Sequence, residues 1–375
     1  MTYVGHPLQT TGDPSTIKLT PTGGFRQGAV TMFRAKLFVL FAALLLVLAL
    51  GGTAFGTATS SAQTATPVAA GPPVNLAFFM ASAANSYAQA QLEGVEEVAA
   101  SMNATVDTFD GQFDSQRQYS QLQDAIASGR FDGFIVSPND GNALAPVIEE
   151  AIAEGIVVGC VLAPCGPSFD TLEPQIEGQL IYAGIPFKQN GADIAEIVVQ
   201  ACEGKDPCQV AYIPGLPELP LESARLEGFE GVINQHDHIE LTVTSAGQYL
   251  AETALPVAQD ILQANPDIDV IASSGDQMIV GAEQAVEDSG LADSVALVGN
   301  GGSEIAVEAV REGRWFGTAA AYPRSEGEVA TDYVIRAIRG EELEPIGLGS
   351  PDLSEGFGPI VTQENAAEFE PEWQG

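Results

Sequence analysis

The chain has 375 residues, of which 45% are hydrophobic and 17% charged, a globular composition whose length suits two domains. Its 14 Lys and Arg stand against 50 Asp and Glu, a net charge of −36. That acidity argues against nucleic acid as a partner, because such binding depends on basic side chains neutralising phosphates, and equally against anionic membrane surfaces.

In chain order, the first feature is a fourteen-residue apolar run, Leu37 to Leu50, preceded by Arg34 and Lys36 and followed by Gly51 and Gly52. It is short for a membrane span of ~20 residues, and the order charged, apolar, small is that of a secretory signal. Residues 1–58 therefore read as an N-terminal extension and signal peptide, with small-residue cleavage sites ending at Ala54, Ala58 or Ala62; the alternative is an uncleaved anchor. Met32 opens an ordinary signal after 31 residues rich in Thr, Gly and Pro, so it is the expected start. No Cys follows the apolar run, which speaks against a lipid anchor. Removing 1–58 leaves 10 basic and 49 acidic residues. Residues 59–73 read as a Thr/Ala/Pro-rich linker.

Beyond it, β-prone runs begin near Asn75, Ala104, Gly133 and Val157, and again near Gln209, Ile239, Asp269 and Val295, alternating with helical patterns. This even spacing is the strand–helix rhythm of a parallel sheet, given twice. Ala88, Leu92, Val95, Ala99 and Met102 form one apolar helix face; Ala330, Tyr333, Val334, Ala337 and Ile338 form another ahead of Gly340, a natural helix stop. Near-continuous apolar strands such as Ile156-Val157-Val158 suit sheets covered on both faces. The fold class is thus α/β, with two similar Rossmann-like lobes. Cys160, Cys165, Cys202 and Cys208 all fall in the exported part, where disulfides persist. Of the three possible connectivities, the local one, 160–165 and 202–208, is the expectation.

Parallel sheets bind ligands in the crevice at the carboxyl ends of their strands. The loops there carry Ser82, Asn85, Ser86 and Tyr87, then Phe109 to Asp114, then Ser137-Pro138-Asn139-Asp140, then Leu162-Ala163-Pro164. In the second half they carry Pro214-Gly215-Leu216 leading to Arg225, Gln248-Tyr249, Gly275-Asp276-Gln277 and Asn300-Gly301-Gly302. Asn85, Asp114, Asp140 and Asp276 each precede a helical pattern, so helix capping is the alternative role for them. Gly299 to Gly302 lacks the context of a phosphate-binding motif. The three His, His6, His236 and His238, form no His-x-x-x-His pattern, and no Cys-x-x-Cys occurs, so neither a metal nor a cofactor is expected. No Ser-His-Asp or Cys-His arrangement is available either, and an enzyme is not the expected class.

Asn85-Ser86-Tyr87, Ser137-Pro138-Asn139-Asp140, Ser223-Ala224-Arg225-x-Glu227-Gly228-Phe229, Gly275-Asp276-x-Met278-x-x-Gly281-Ala282 and Val298-Gly299 occur in an order and spacing that resembles the ribose/galactose-type substrate-binding proteins of ABC importers, over about Val74 to Ile360. The resemblance implies a type I periplasmic-binding fold whose chain crosses between lobes three times, near Gly184–Pro186, Ala321–Tyr322 and Glu344–Pro345. It implies an N-terminal lobe of 74–184 plus 323–344 and a C-terminal lobe of 185–322 plus 345–375. The implied function is capture of a small solute in the interlobe cleft and delivery to an ABC permease, with Asn85, Tyr87, Ser137, Asp140, Arg225, Tyr249, Gly275, Asp276 and Asn300 as ligand-binding residues; a monomer is the default expectation. Several sugar-gripping positions of that family are altered: Leu162-Ala163 replaces a polar pair, Gly275 an Asn, and Gly301 the Asp of Val-Gly-Phe-Asp. Leu219 and Leu221 replace polar contacts, and Gly184-Ile185-Pro186 replaces Ser-Asp-Asn. A less hydroxylated ligand, or a carboxylate held by Arg225, is the rival to a hexose. A ligand-sensing module for a membrane receptor is the rival function.

Overall fold

The computed structural model describes residues 71–354 and 356–375. The expected signal, its cleavage and residues 59–70 of the expected linker lie outside the described residues. Among the described residues no helix is long and apolar enough to cross a membrane.

The first half runs β1 (Val74–Met80), α1 (Ser86–Ser101), β2 (Ala104–Asp110), α2 (Ser115–Ser128), β3 (Gly133–Val136), α3 (Gly141–Ala153), β4 (Val157–Leu162) and β5 (Ile181–Gly184). The second runs α4 (Phe187–Ala201), β6 (Cys208–Ile213), α5 (Pro220–Ile233), β7 (Ile239–Thr244), α6 (Ala251–Ala264), β8 (Val270–Ser273), α7 (Asp276–Asp288), β9 (Ala296–Gly301), α8 (Glu304–Glu312) and β10 (Gly317–Ala320). The chain ends with α9 (Pro323–Ile338), β11 (Ile346–Leu348), the short α10 (Ser350–Leu353) and β12 (Ile360–Thr362). Two six-stranded sheets result, ordered β11-β5-β4-β3-β1-β2 and β12-β10-β9-β8-β6-β7. Every pairing is parallel except β10 with β12.

Each sheet is covered on both faces, which is why β3 and β8 are buried along their whole length. The edge strands β2 and β7 instead alternate, with Thr108, Glu240 and Thr242 among their less buried positions. One face of the first sheet packs on α1 and α9, and one face of the second on α4 and α5. In both pairs the helices meet backbone to backbone. A Cβ added at Gly94 would fall well inside the radius of the Arg324 carbonyl oxygen, and one at Gly327 would do the same to Gln91. Gly191 and Gly228 stand in the same relation to the carbonyls of Arg225 and Lys188. Only glycine permits so close a crossing.

The chain leaves the first sheet after Gly184 and returns to it with α9, which sets its first two crossings at 185–186 and 321–322. The third lies elsewhere. Ile346–Leu348 does not join the second lobe but pairs with Ile181–Ala183 as the edge of the first sheet, so the crossing falls in 349–359. A three-residue edge strand with no full apolar face leaves too weak a period to place from sequence. Both disulfides are local, Cys160–Cys165 with Cα atoms 6.2 Å apart and Cys202–Cys208 at 5.7 Å.

Candidate functional site

The carboxyl ends of the two sheets face each other across a cavity with about 660 Å³ between its wall atoms, solvent at the mouth included. Strand order reverses between β1 and β3 in one lobe and between β6 and β8 in the other, so helices diverge there and leave room for a ligand. Asn85, Tyr87, Phe113 and Asn139 reach the wall from the first lobe; Arg225, Tyr249, Gln277 and Asn300 reach it from the second.

In the second lobe the polar groups form one network. Arg225, 3% exposed, donates through Nε to Asn190 Oδ1 at 2.8 Å and through Nη1 to Glu222 and to the Tyr249 hydroxyl, the latter at 3.1 Å. Its guanidinium also lies 4.8 Å from the centre of the Phe187 ring. Burial is the largest influence and would lower this group, but the Glu222 carboxylate together with Tyr249 and Tyr212 outweighs it and holds the group above its ordinary value. Glu222 in turn accepts from the Tyr249 hydroxyl and the Gly215 N–H. Asn190 donates to Asn300 Oδ1 at 2.8 Å, and Asn300 donates to the Ser274 carbonyl at 2.9 Å. The buried cation is thus matched by a buried anion, and Arg225 Nη2 makes no hydrogen bond among the described residues.

The first lobe repeats this plan with different side chains. Glu326, fourth residue of α9, occupies the place of Asn190, fourth residue of α4, and each is followed by one of the crossing glycines. Glu326 accepts from the Tyr87 hydroxyl at 2.8 Å and from Gln91 Nε2 at 2.7 Å. Burial pushes its carboxyl up to about 8, despite these two donors; Glu372 nearby adds to the rise. The folded protein therefore keeps a proton that an unfolded chain releases near 4.5, and it binds more protons than the unfolded chain between those values. This contribution to stability is complete below about pH 4.5 and lost as pH rises to about 8. Glu326→Gln is expected to flatten that loss and to be about 1–2 kcal/mol more stable than the parent at pH 8. Gln91 Oε1, buried without a partner, can accept from the new amide after its own amide turns over. Denaturation midpoints of both proteins at pH 5 and pH 8 check this; equal pH slopes would refute it.

Two matching turns hold the aromatic walls. Gln112 and Phe113, after β2, both have φ near +55°, and Gln248 and Tyr249, after β7, both have +58°. Left-handed backbone costs a side-chain-bearing residue about 1–3 kcal/mol, and such strain concentrates where side chains are held for use. Here it brings the Phe113 and Tyr249 rings into a stack across the cleft, 6.1 Å between centres. A second aromatic contact comes from near the C-terminus. Trp373 donates from Nε1 to the Gly301 carbonyl at 2.9 Å and meets the Tyr87 ring edge-on at 5.5 Å. Gly301 has φ +142°, and a Cβ there would sit 2.6 Å from the Trp373 ring, so the indole takes space that any side chain at 301 would need.

Of the residues named from sequence, Asn85, Tyr87, Arg225, Tyr249, Gly275 and Asn300 line the cavity together. Ser137, Asp140 and Asp276 are not on its wall. Asp140 caps α3 by accepting from the Ala143 N–H at 3.0 Å. Asp276 is buried below Asn300, where it accepts from the Ser303 N–H at 2.9 Å and the Thr318 hydroxyl at 2.8 Å; burial pushes it up to about 6. Ser137 is buried, and its carbonyl takes the amide of Gln118. Asn85 does both jobs: Oδ1 caps α1 through the Ala88 N–H at 3.1 Å, and Nδ2 has no partner among the described residues. Sequence reasoning passed over Asn139, whose Oδ1 is buried without a partner, and also Phe113, Gln277 and Trp373. Asn139 sat in a loop already singled out, one residue from the acid chosen there. Trp373 had no local signal. Among the described residues no group of His, Cys, Asp and Glu is arranged to hold a metal ion.

Residues 76–342 match a family model described as a periplasmic binding protein domain. A ribose import binding protein of Bacillus subtilis (strain 168) is 25% identical over 252 residues, 67% of this chain and 77% of that protein. A D-allose-binding periplasmic protein of Escherichia coli (strain K12) is 25% identical over 260 residues, 68% of this chain and 81% of that protein. Among solved structures, an ABC transporter solute-binding protein from Actinobacillus succinogenes 130z with bound D-allose aligns at TM-score 0.66 and 24% identity, covering 79% of this chain and all (100%) of that one. Another, from Mycobacterium smegmatis with bound glycerol, aligns at TM-score 0.67 and 22% identity, covering 81% of this chain and 99% of that one. The two-lobed fold, the facing sheet ends and the match over most of the chain agree: this chain belongs to the periplasmic binding protein domain family.

Proposed function

We propose that this protein is the extracytoplasmic solute-binding component of an ABC importer, exported as a monomer, and that it captures a small neutral hydroxylated solute, a sugar or sugar derivative, between its lobes. The observation that carries the reading is the set of unspent directional groups supplied by both lobes to one cavity: Asn85 Nδ2 and Asn139 Oδ1 from the first, Arg225 Nη2 and the Gln277 oxygen from the second. A solute that bonds to both sets is held more tightly in the closed form than in the open one, and only such a difference can drive closure. The permease then takes the solute from the closed form. Relatives named for ribose and allose support the solute class.

A carboxylate ligand fits less well. Arg225 is the cation such a ligand would need, and Glu222 already neutralises it inside the same network. A second buried anion would face Glu222 without compensation, a costly arrangement in a desolvated site.

A thermal-shift screen of the full chain against neutral sugars, polyols and small carboxylates tests this. A solute at one hundred times its Kd adds about 2.7 kcal/mol to stability. The expected result is a rise with at least one neutral sugar or polyol and none with carboxylates. Asn85→Asp, which keeps the cap oxygen but removes the amide donor, is expected to weaken that solute about tenfold or more. If only carboxylates raise the midpoint, or nothing does, the proposal falls.

A further inference from the structure

We infer that the solute selected by this cavity has a deoxygenated edge: a neutral ring or short chain whose hydroxyls gather on one side and whose other side ends in C–H or methyl groups. This rests on the neutral-solute reading above and deepens it. Leu162, Ile185, Phe187, Leu219, Leu221 and Ala321 belong to one continuous apolar cluster where the lobes join, and all six line the cavity. Leu162 enters it from a left-handed turn, φ +63°, beside the Cys160–Cys165 bridge, so its place on the wall is held by the backbone. A hydroxyl turned toward this cluster gives up its water and finds no partner.

The polar part of the wall has little left to offer. Asn300 has its Oδ1 and Nδ2 engaged by Asn190 and Ser274, Tyr87 donates to Glu326, and Tyr249 donates to Glu222. Unspent side-chain groups among the described residues are Asn85 Nδ2, Asn139 Oδ1, Ser274 Oγ, Arg225 Nη2 and the Gln277 oxygen, whose own amide donates to Ser86 at 3.1 Å across the cleft. None of the six cluster residues offers a side-chain donor or acceptor, so a fully hydroxylated hexose that turns a hydroxyl to the leucines leaves it unmet. Next to the strand end, the Trp373 indole fills the space beside Gly301, adding another apolar surface where a polar side chain has no room.

Calorimetric titration of the full chain with matched pairs tests this: L-fucose against L-galactose, L-rhamnose against L-mannose, 2-deoxy-D-ribose against D-ribose. In the pairs that bind, the deoxy member is expected to bind about tenfold more tightly or better. Leu221→Asn, which gives the apolar cluster one polar partner, is expected to shrink that gap to about threefold or less while keeping the deoxy member bound. Should that variant not fold, Leu219→Asn at the neighbouring wall position serves the same purpose. Neutral sugars that bind with the parent sugar equal or tighter overturn this inference alone. If no neutral sugar binds, the neutral-solute reading falls and this inference with it.

Discussion

Arg225→Ala is expected to destabilise the protein by about 3–5 kcal/mol and to remove its response to any solute. The guanidinium is the only cation within the buried network, and it serves Asn190, Glu222 and Tyr249 at once. Deleting it leaves Glu222, 3% exposed, as an uncompensated buried carboxylate, and that penalty exceeds the net worth of the pair. The double variant Arg225→Met with Glu222→Met removes both charges and replaces them with side chains of similar bulk. It is expected to regain most of the lost stability, because buried ion pairs exchange for apolar contacts at little cost. It is not expected to regain solute binding, which needs Nη2. Urea denaturation and thermal shift of the three proteins separate the two roles. A single variant that loses less than about 1 kcal/mol would show that the ion pair is not buried as described.

The second large effect belongs to a glycine. Gly228→Val places a branched side chain where even a Cβ is well inside the Lys188 carbonyl oxygen, so α4 and α5 must separate. Overpacking of this kind, against backbone that cannot rotate away, is expected to cost about 3 kcal/mol or more. It also moves Arg225, three residues earlier on the same helix, off Asn190. Gly231, one turn on, supplies the control, since nothing lies within 4 Å of a Cβ there. Gly231→Ala is expected to stabilise by about 0.5–1 kcal/mol, the ordinary helix gain over glycine. Equal effects of the two substitutions would show that the helices do not touch at Gly228.

The scaffold was largely legible from sequence. The strand starts read from apolar spacing at 104, 133, 157 and 239 coincide with those of β2, β3, β4 and β7, and the others fall within one residue. Long periodic segments carry that information many times over, whereas Ile346–Leu348 carries it once and was assigned to the wrong lobe. The site was legible in part. Positions at or just beyond the strand ends gave Asn85, Tyr87, Tyr249, Gly275 and Asn300 as cavity-lining residues, and the helical run after β6 gave Arg225. The residue that turns inward within a loop was not readable, because capping and wall-lining draw on the same side chains. Asp140 and Asn139 differ only in which one the helix start claims. Glu326 and Trp373 were missed because each meets Tyr87, more than 230 residues earlier in sequence, through contacts that only the assembled lobes create. For Arg225, on a helical run, a surface ion pair is the default expectation from sequence and a ligand-facing cation the other; its partner is Glu222, three residues away on the same helix, and the pair is buried rather than on the surface.

The paired glycine crossings bear on how such a molecule moves. α4 starts three residues after β5 and α9 three residues after β10, so each is the first element the chain enters beyond a crossing. Each is then clamped, main chain on main chain, to the helix that carries Arg225 or Tyr87. Between the pivot and the binding residue there is no compressible layer of side chains to absorb an angular change. A small turn at Ile185–Pro186 or Ala321–Tyr322 therefore arrives at the solute undamped, each half behaving as a stiff lever whose fulcrum lies beside its grip.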